Sequence, residues 1–123
     1  MILTLNLETK HFPYPLIVEF VDGKIWKLVE DFQYIRDCGE VITVPKGFLF
    51  DFASIPRFCW GWIGSPTGEY GPAALIHDFL CLSPDCPIRK TDRIFLECMT
   101  ILEVPRWKRL IMFFAVRAFH CFR

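Results

Sequence analysis

Apolar and polar positions follow two different periods along this chain, and the change of period divides it into halves. Leu3, Leu5 and Leu7 alternate with Thr4, Asn6 and Glu8, the pattern of a strand half-buried on one face. Pro13 and Pro15 then interrupt the chain. Leu16 to Val21 and Ile25 to Val29 flank Asp22-Gly23-Lys24, and Asp-Gly between apolar runs predicts a hairpin. Phe32 to Ile35 and Val41 to Val44 flank Asp37-Cys38-Gly39-Glu40, which predicts a second hairpin. Pro45-Lys46-Gly47 turns the chain into a last apolar run from Phe48 to Phe52.

Beyond a Gly- and Pro-rich loop from Gly61 to Gly71 the spacing becomes helical. Pro72 stands at a first helical position, where its missing N–H costs nothing, and a helix follows through Ala73 to about Leu82. Ser83-Pro84-Asp85-Cys86-Pro87 breaks it. Thr91 can cap a second helix through about Leu102, and Pro105 can open a third that runs to about His120. Strands first and helices after, with no alternation of the two, predict an α+β fold of antiparallel strands and hairpins followed by three helices. The expected organisation is a single compact domain over 1–123, mainly strand in 1–56, loop in 57–71 and mainly helix in 72–120.

Composition changes this picture in one respect. A chain of 123 residues fits one domain, yet 53% of them are hydrophobic and 16% aromatic, with 13 Phe and 4 Trp. That is more apolar surface than so small a domain easily hides, so part of it is expected to face another chain, either a partner or a second copy. The 14 basic and 14 acidic residues cancel, which removes any general attraction to nucleic acid or an anionic membrane. The start, MILTLNLETK, lacks a basic region followed by an apolar core, and Leu110 to Val116 is far short of the roughly 20 residues that cross a bilayer. The expectation is a non-secreted protein made in the cytosol, with no transmembrane segment and no nucleic-acid partner. The 6 cysteines include no C-x-x-C pair, and Cys59, Cys81, Cys98 and Cys121 sit among apolar neighbours, where free Cys acts as a small hydrophobe.

Four polar residues stand where the pattern calls for apolar ones. Asp92 shares a helix face with Phe95, Leu96, Met99 and Leu102, while Arg93, Glu97 and Thr100 fall on the other side. A carboxylate on a buried stripe must be paired, hydrogen-bonded or bound to a cation; the alternative is a helix-start carboxylate pointing to water. His77 and Asp78 interrupt a helix that is otherwise apolar almost all round. As neighbours they point about 100° apart, so each needs a partner on another segment, and Asp92 on the next helix is the candidate for one of them. A carboxylate holding one imidazole nitrogen leaves the other as a base or metal ligand, although a buried, satisfied histidine is the commoner case. Asp51 lies between Phe50 and Phe52 before Ala53-Ser54-Ile55-Pro56, where it could instead close a turn on its own backbone. If it reaches the helices, one His and two or three carboxylates suit a divalent cation such as Ca²⁺, Mg²⁺ or Mn²⁺. Arg106, Lys108, Arg109 and Arg117 flank an aromatic helix bearing Trp107, Phe113, Phe114 and Phe119; core or interface aromatics with a solvated basic rim account for that pattern better than nucleic-acid binding does.

Val44-Pro45-Lys46-Gly47-Phe48, Asp51-Phe52-Ala53-Ser54-Ile55-Pro56-Arg57, Ala73-Ala74-Leu75-Ile76-His77-Asp78-Phe79-Leu80 and Thr91-Asp92-Arg93-Ile94-Phe95 occur in that order. The series resembles the signature of a family of small, uncharacterised phage and prophage proteins, over roughly Val41 to Ala118. The resemblance implies a viral context and no mechanism. A second likeness, confined to the site, is to phospholipases A2, which carry adjacent His and Asp on a helix and a supporting Asp on the next. Here Cys81 replaces the aromatic hydroxyl usual three residues after that helical Asp, the glycine spacing of the calcium loop differs, and the strand-rich front half has no counterpart.

Two functions of different class follow as expectations. One is a phage accessory or virion-associated protein, of tail or baseplate type, that works by binding other phage proteins or itself; an end reading Phe119-His120-Cys121-Phe122-Arg123 looks made to be buried. The other is a small metal-dependent hydrolase of esters or phosphoesters, with His77 as general base, Asp92 orienting it, and Asp78 with Asp51 holding the cation. That reading requires a solvent-reachable cluster. An inhibitor of a host protein fits the size equally, with no residue that favours it.

Overall fold

The computed structural model describes residues 2–7, 9–22, 25–50 and 71–121, the last three of these by their backbone alone. Its contacts divide the chain into two units, Met1–Asp51 and Phe52–Arg123. The first carries antiparallel strands and the described part of the second carries three helices, so the chain is α+β.

In the first unit β1 (Ile2–Leu5), β2 (Leu16–Asp22), β3 (Ile25–Leu28) and β6 (Leu49–Phe50) form one antiparallel sheet in the order β1-β2-β3-β6. β4 (Phe32–Ile35) and β5 (Val41–Val44) form a separate two-stranded sheet. Register follows the apolar alternation, since Val18 lies opposite Leu28 and Phe32 opposite Val44, all four buried. The register shifts between Phe20 and Asp22, at the end of β2 where Phe20, Val21 and Asp22 are all exposed. The first predicted hairpin pairs as expected, and its tip at 23–24 lies outside the described residues. In the second, Gly39 at φ 95° lets the Arg36 N–H reach the Glu40 carbonyl at 2.9 Å. Phe12 is the centre of the apolar packing, stacked on Phe32 and Tyr34 with ring centroids 5.8 and 5.0 Å away. Beside it the His11 ring meets Asp37 at 2.7 Å, and this hydrogen bond and attraction hold the Asp37 carboxyl below the usual aspartate range.

One strand expectation is corrected. The alternation of Leu3, Leu5 and Leu7 predicts a half-buried strand, yet every residue of β1 is exposed and the strand ends at Leu5. β1 is an edge strand, so Leu3 and Leu5 have neighbours on the β2 side and none from a further strand.

The second unit contains α1 (Gly71–Cys81), α2 (Ile88–Ile101) and α3 (Arg106–Cys121). α1 is buried at every position from Gly71 to Asp78, as its nearly unbroken apolar sequence requires. α2 packs against both of its neighbours in sequence, with Ile94, Phe95, Cys98 and Met99 buried. Thr91 does not cap this helix. The helix starts three residues earlier, after Pro87, and Thr91 is buried with its hydroxyl 3.1 Å from the Cys86 sulfur. Pro87 in an extended conformation (φ −61°, ψ 147°) sets the entry direction without any side-chain cap. At the other end Glu103 takes a left-handed conformation, φ 61°, and the Val104 N–H returns to the Met99 carbonyl at 3.0 Å, closing the helix.

Candidate functional site

Three helices each contribute one polar side chain to a single buried network. His77 stands on the seventh position of α1, Asp92 on the fifth of α2 and Arg117 near the C-terminal end of α3. His77 Nε2 and Asp92 Oδ1 are 2.8 Å apart, with both side chains at 0% exposure. Arg117 Nε donates to the other carboxylate oxygen, Oδ2, also at 2.8 Å, from a side chain 36% exposed. An ionised carboxylate only accepts, so Nε2 carries the proton it shares with Asp92 and the tautomer is set. The water-facing alternative for Asp92 is thereby excluded. A charge sealed from solvent requires compensation, and Arg117 supplies it.

Apolar contacts fix the imidazole plane. The Phe95 ring, one turn beyond Asp92, lies 4.7 Å from the His77 ring at 41°. Cys81, one turn beyond His77, places its sulfur 3.8 Å from both ring nitrogens. Equal distances put the sulfur along neither lone pair, so this contact is packing of a polarizable atom. Arg117 is held in turn by the Phe113 ring, 5.0 Å from the guanidinium carbon.

Of the other two predicted site residues the structure describes one. Asp78 is buried on α1, and its single-residue offset directs it about 100° away from His77. Asp51 lies outside the described residues. Among the described residues no three His, Cys, Asp or Glu side chains are grouped to hold a metal ion. The network member that the sequence reading missed is Arg117, which it assigned to a solvated rim. The available signal was the demand itself: a carboxylate on a buried stripe needs a cation, and Arg117 interrupts an apolar run that begins at Leu110.

A second feature lies on the exposed side of α3. Trp107, Leu110, Ile111 and Phe114 are exposed at 52%, 40%, 39% and 63%. Their offsets of three, four and seven put them on one arc about 100° wide. Met112 and Val116, fully buried, mark the inner face of the same helix. The aromatics Trp107 and Phe114 are therefore surface and not core.

An α+β chain whose three C-terminal helices are tied by a buried His–Asp–Arg network is the class that fold and site define. The family model described as "Protein of unknown function (DUF1353)" matches residues 26–116, and the chain belongs to that family. The match takes in His77 and Asp92 and stops one residue short of Arg117. Two relatives from Sinorhizobium fredii (strain NBRC 101917 / NGR234) are similar to it. "Uncharacterized protein y4jT" is 34% identical over 105 residues, which cover 82% of this chain and 31% of the relative. "Uncharacterized protein y4iH" is 33% identical over 93 residues, covering 75% and 39%. The chain thus spans about a third of the length of these relatives. No solved structure matches it. Among the described residues no helix is long and apolar enough to cross a membrane.

Proposed function

We propose that this chain is a protein-binding accessory module of phage or prophage origin, of the virion-associated kind, that acts through the outer face of α3. The observation that carries this reading is the exposed stripe of Trp107, Leu110, Ile111 and Phe114. Four large apolar side chains in one row are costly to leave in water and are typical of a contact surface. The similarity to one segment of longer proteins supports the same reading, because a unit that recurs within larger chains is one that works beside other domains. The resemblance of its motif series to small phage and prophage proteins is the ground for the viral context.

The hydrolase reading keeps one supporting observation, the imidazole oriented by a carboxylate at 2.8 Å. Burial weighs against it, because a general base must reach its substrate or a water, and both groups have no exposed surface. The same burial supports a structural role for the network.

The test is a pairwise binding screen against the products of neighbouring genes, with the wild-type chain and a Leu110→Asp/Phe114→Asp variant. At least one wild-type partner that the variant loses is expected. A folded monomer that binds none of them would refute the module reading. Calorimetric titration of Ca²⁺, Mg²⁺, Mn²⁺ and Zn²⁺ tests the rival. Tight binding abolished by Asp92→Asn in a folded variant would move the hydrolase to first place.

A further inference from the structure

We propose that the stripe on α3 docks an amphipathic helix whose apolar anchors are flanked by carboxylates, an acidic segment of a partner protein. This rests on the protein-binding reading above and specifies the chemistry of the partner.

The argument is one of charge around an apolar row. From Arg106 to Cys121 the helix carries Arg106, Lys108, Arg109 and Arg117 and no Asp or Glu. Arg117 and Arg109 are turned to internal tasks, one donating to Asp92 and the other, through Nη1, to the Val104 carbonyl at 3.2 Å. Arg106 and Lys108 bracket Trp107 at the N-terminal end of the stripe, and the Lys108 ammonium lies 5.6 Å from the Trp107 ring centroid. Three cations in the first turn oppose the helix dipole, whose positive end favours acids there. Stability alone would select the opposite charge. Carboxylates brought by a partner would meet both the cations and the dipole.

The same charges disfavour the simplest other occupant. Two copies packed stripe to stripe would bring no carboxylate from either α3, so neither copy would offer the other's cations a counter-charge. An anionic bilayer is disfavoured because only Arg106 and Lys108 flank the stripe while Arg109 and Arg117 turn inward, which is short of the polybasic cluster that holds a chain to such a surface. The spacing of the stripe suits a helix laid along it with its own anchors at the same offsets.

The experiment uses three fluorescein-labelled helical peptides with identical Leu and Phe anchors and flanks of Glu, Gln or Lys, titrated with the full chain and followed by anisotropy. The Glu peptide is expected to bind about tenfold tighter than the Lys peptide at low salt. The gap should shrink as salt is added. Leu110→Asp/Phe114→Asp should abolish binding of all three, and Arg106→Glu/Lys108→Glu should reverse the preference. Equal binding of the three peptides overturns the acidic partner while leaving a protein-binding stripe in place. Binding to phosphatidylserine vesicles without binding to any peptide overturns it in favour of a membrane. Self-association removed by the Asp pair overturns it in favour of a second copy. No binding by any probe overturns it as well.

Discussion

Replacing Asp92 by leucine keeps the number and branching of the side-chain heavy atoms, at a larger volume, and removes both acceptors of the network at once. In the native chain these oxygens meet His77 Nε2 and Arg117 Nε, each at 2.8 Å. Removing one partner of a buried ion pair costs about 3–5 kcal/mol, because the charge left behind has lost its compensation. Two features place this case at the lower end. Arg117 is 36% exposed, so its guanidinium can turn to water and its contact counts for no more than about 1 kcal/mol. His77 has no exposed surface, and its stranded N–H costs a further 1–3 kcal/mol, roughly. The expected loss is about 3 kcal/mol, or about 9–15 °C in Tm for a chain of this size. Urea unfolding followed by circular dichroism measures it, with the slope of the transition unchanged. The triple variant His77→Leu/Asp92→Leu/Arg117→Met should recover to within about 1 kcal/mol of wild type, since apolar replacement of a whole buried network is often neutral. A cost under about 1 kcal/mol for Asp92→Leu alone would refute the view that this network holds the three helices together.

Glu103→Gly should raise stability by about 0.5–1 kcal/mol, seen as a higher Tm, because glycine takes the left-handed conformation at that position without strain; an unchanged or lowered Tm would contradict this. Phe32→Ala, in the fully buried stack with Phe12, should cost about 3–5 kcal/mol in denaturant unfolding. Asp37 has its carboxyl pulled below the usual range by His11, so its contribution to stability is present above the unfolded value, about pH 4, and is lost as pH falls through the lower folded value. The stability gap between wild type and Asp37→Asn should therefore close as the pH is taken down through the acid range. Phe114→Ser, at an exposed site, should change stability by no more than about 0.5 kcal/mol while weakening partner binding.

Periodicity carried most of the architecture. Among the described residues all six strands and all three helices lie within a few residues of the apolar runs that predict them, because the spacing of apolar positions imposes a period. The failures are local and share a cause. β1 shows the alternation of a half-buried strand but occupies a sheet edge, and periodicity reports which face is apolar without reporting whether anything covers it. Thr91 has the chemistry of a cap, yet Pro87 opens the helix first and leaves the threonine inside. At the site, His77 and Asp92 were legible because a polar residue on an apolar stripe contradicts its surroundings. Arg117 was not, because an arginine on an amphipathic helix contradicts nothing until the carboxylate opposite is placed. The distinction between core and surface aromatics on α3 was equally hidden, since Trp107 and Phe114 fit either.

The two features of α3 depend on each other. Among its described side chains only Met112 and Val116 are buried, a small apolar hold for a helix of 16 residues. Among the described side chains, a helix that turns Trp107, Leu110, Ile111 and Phe114 outward keeps Met112, Val116 and the half-buried Phe113 as its large apolar groups away from solvent. Arg117 answers that shortage by reaching Asp92 and, through it, His77 on α1, so that one ion pair and one hydrogen bond do what additional leucines would otherwise do. Such a tie is directional where apolar packing is not, and it fixes the rotation of α3 about its own axis as well as its distance from α2. A docking face needs that rotation held. The buried network and the exposed stripe are thus two ends of one arrangement. It follows that Arg117→Met should weaken binding of a partner at Trp107 and Phe114 even where the helix stays folded, by letting the stripe rotate out of register.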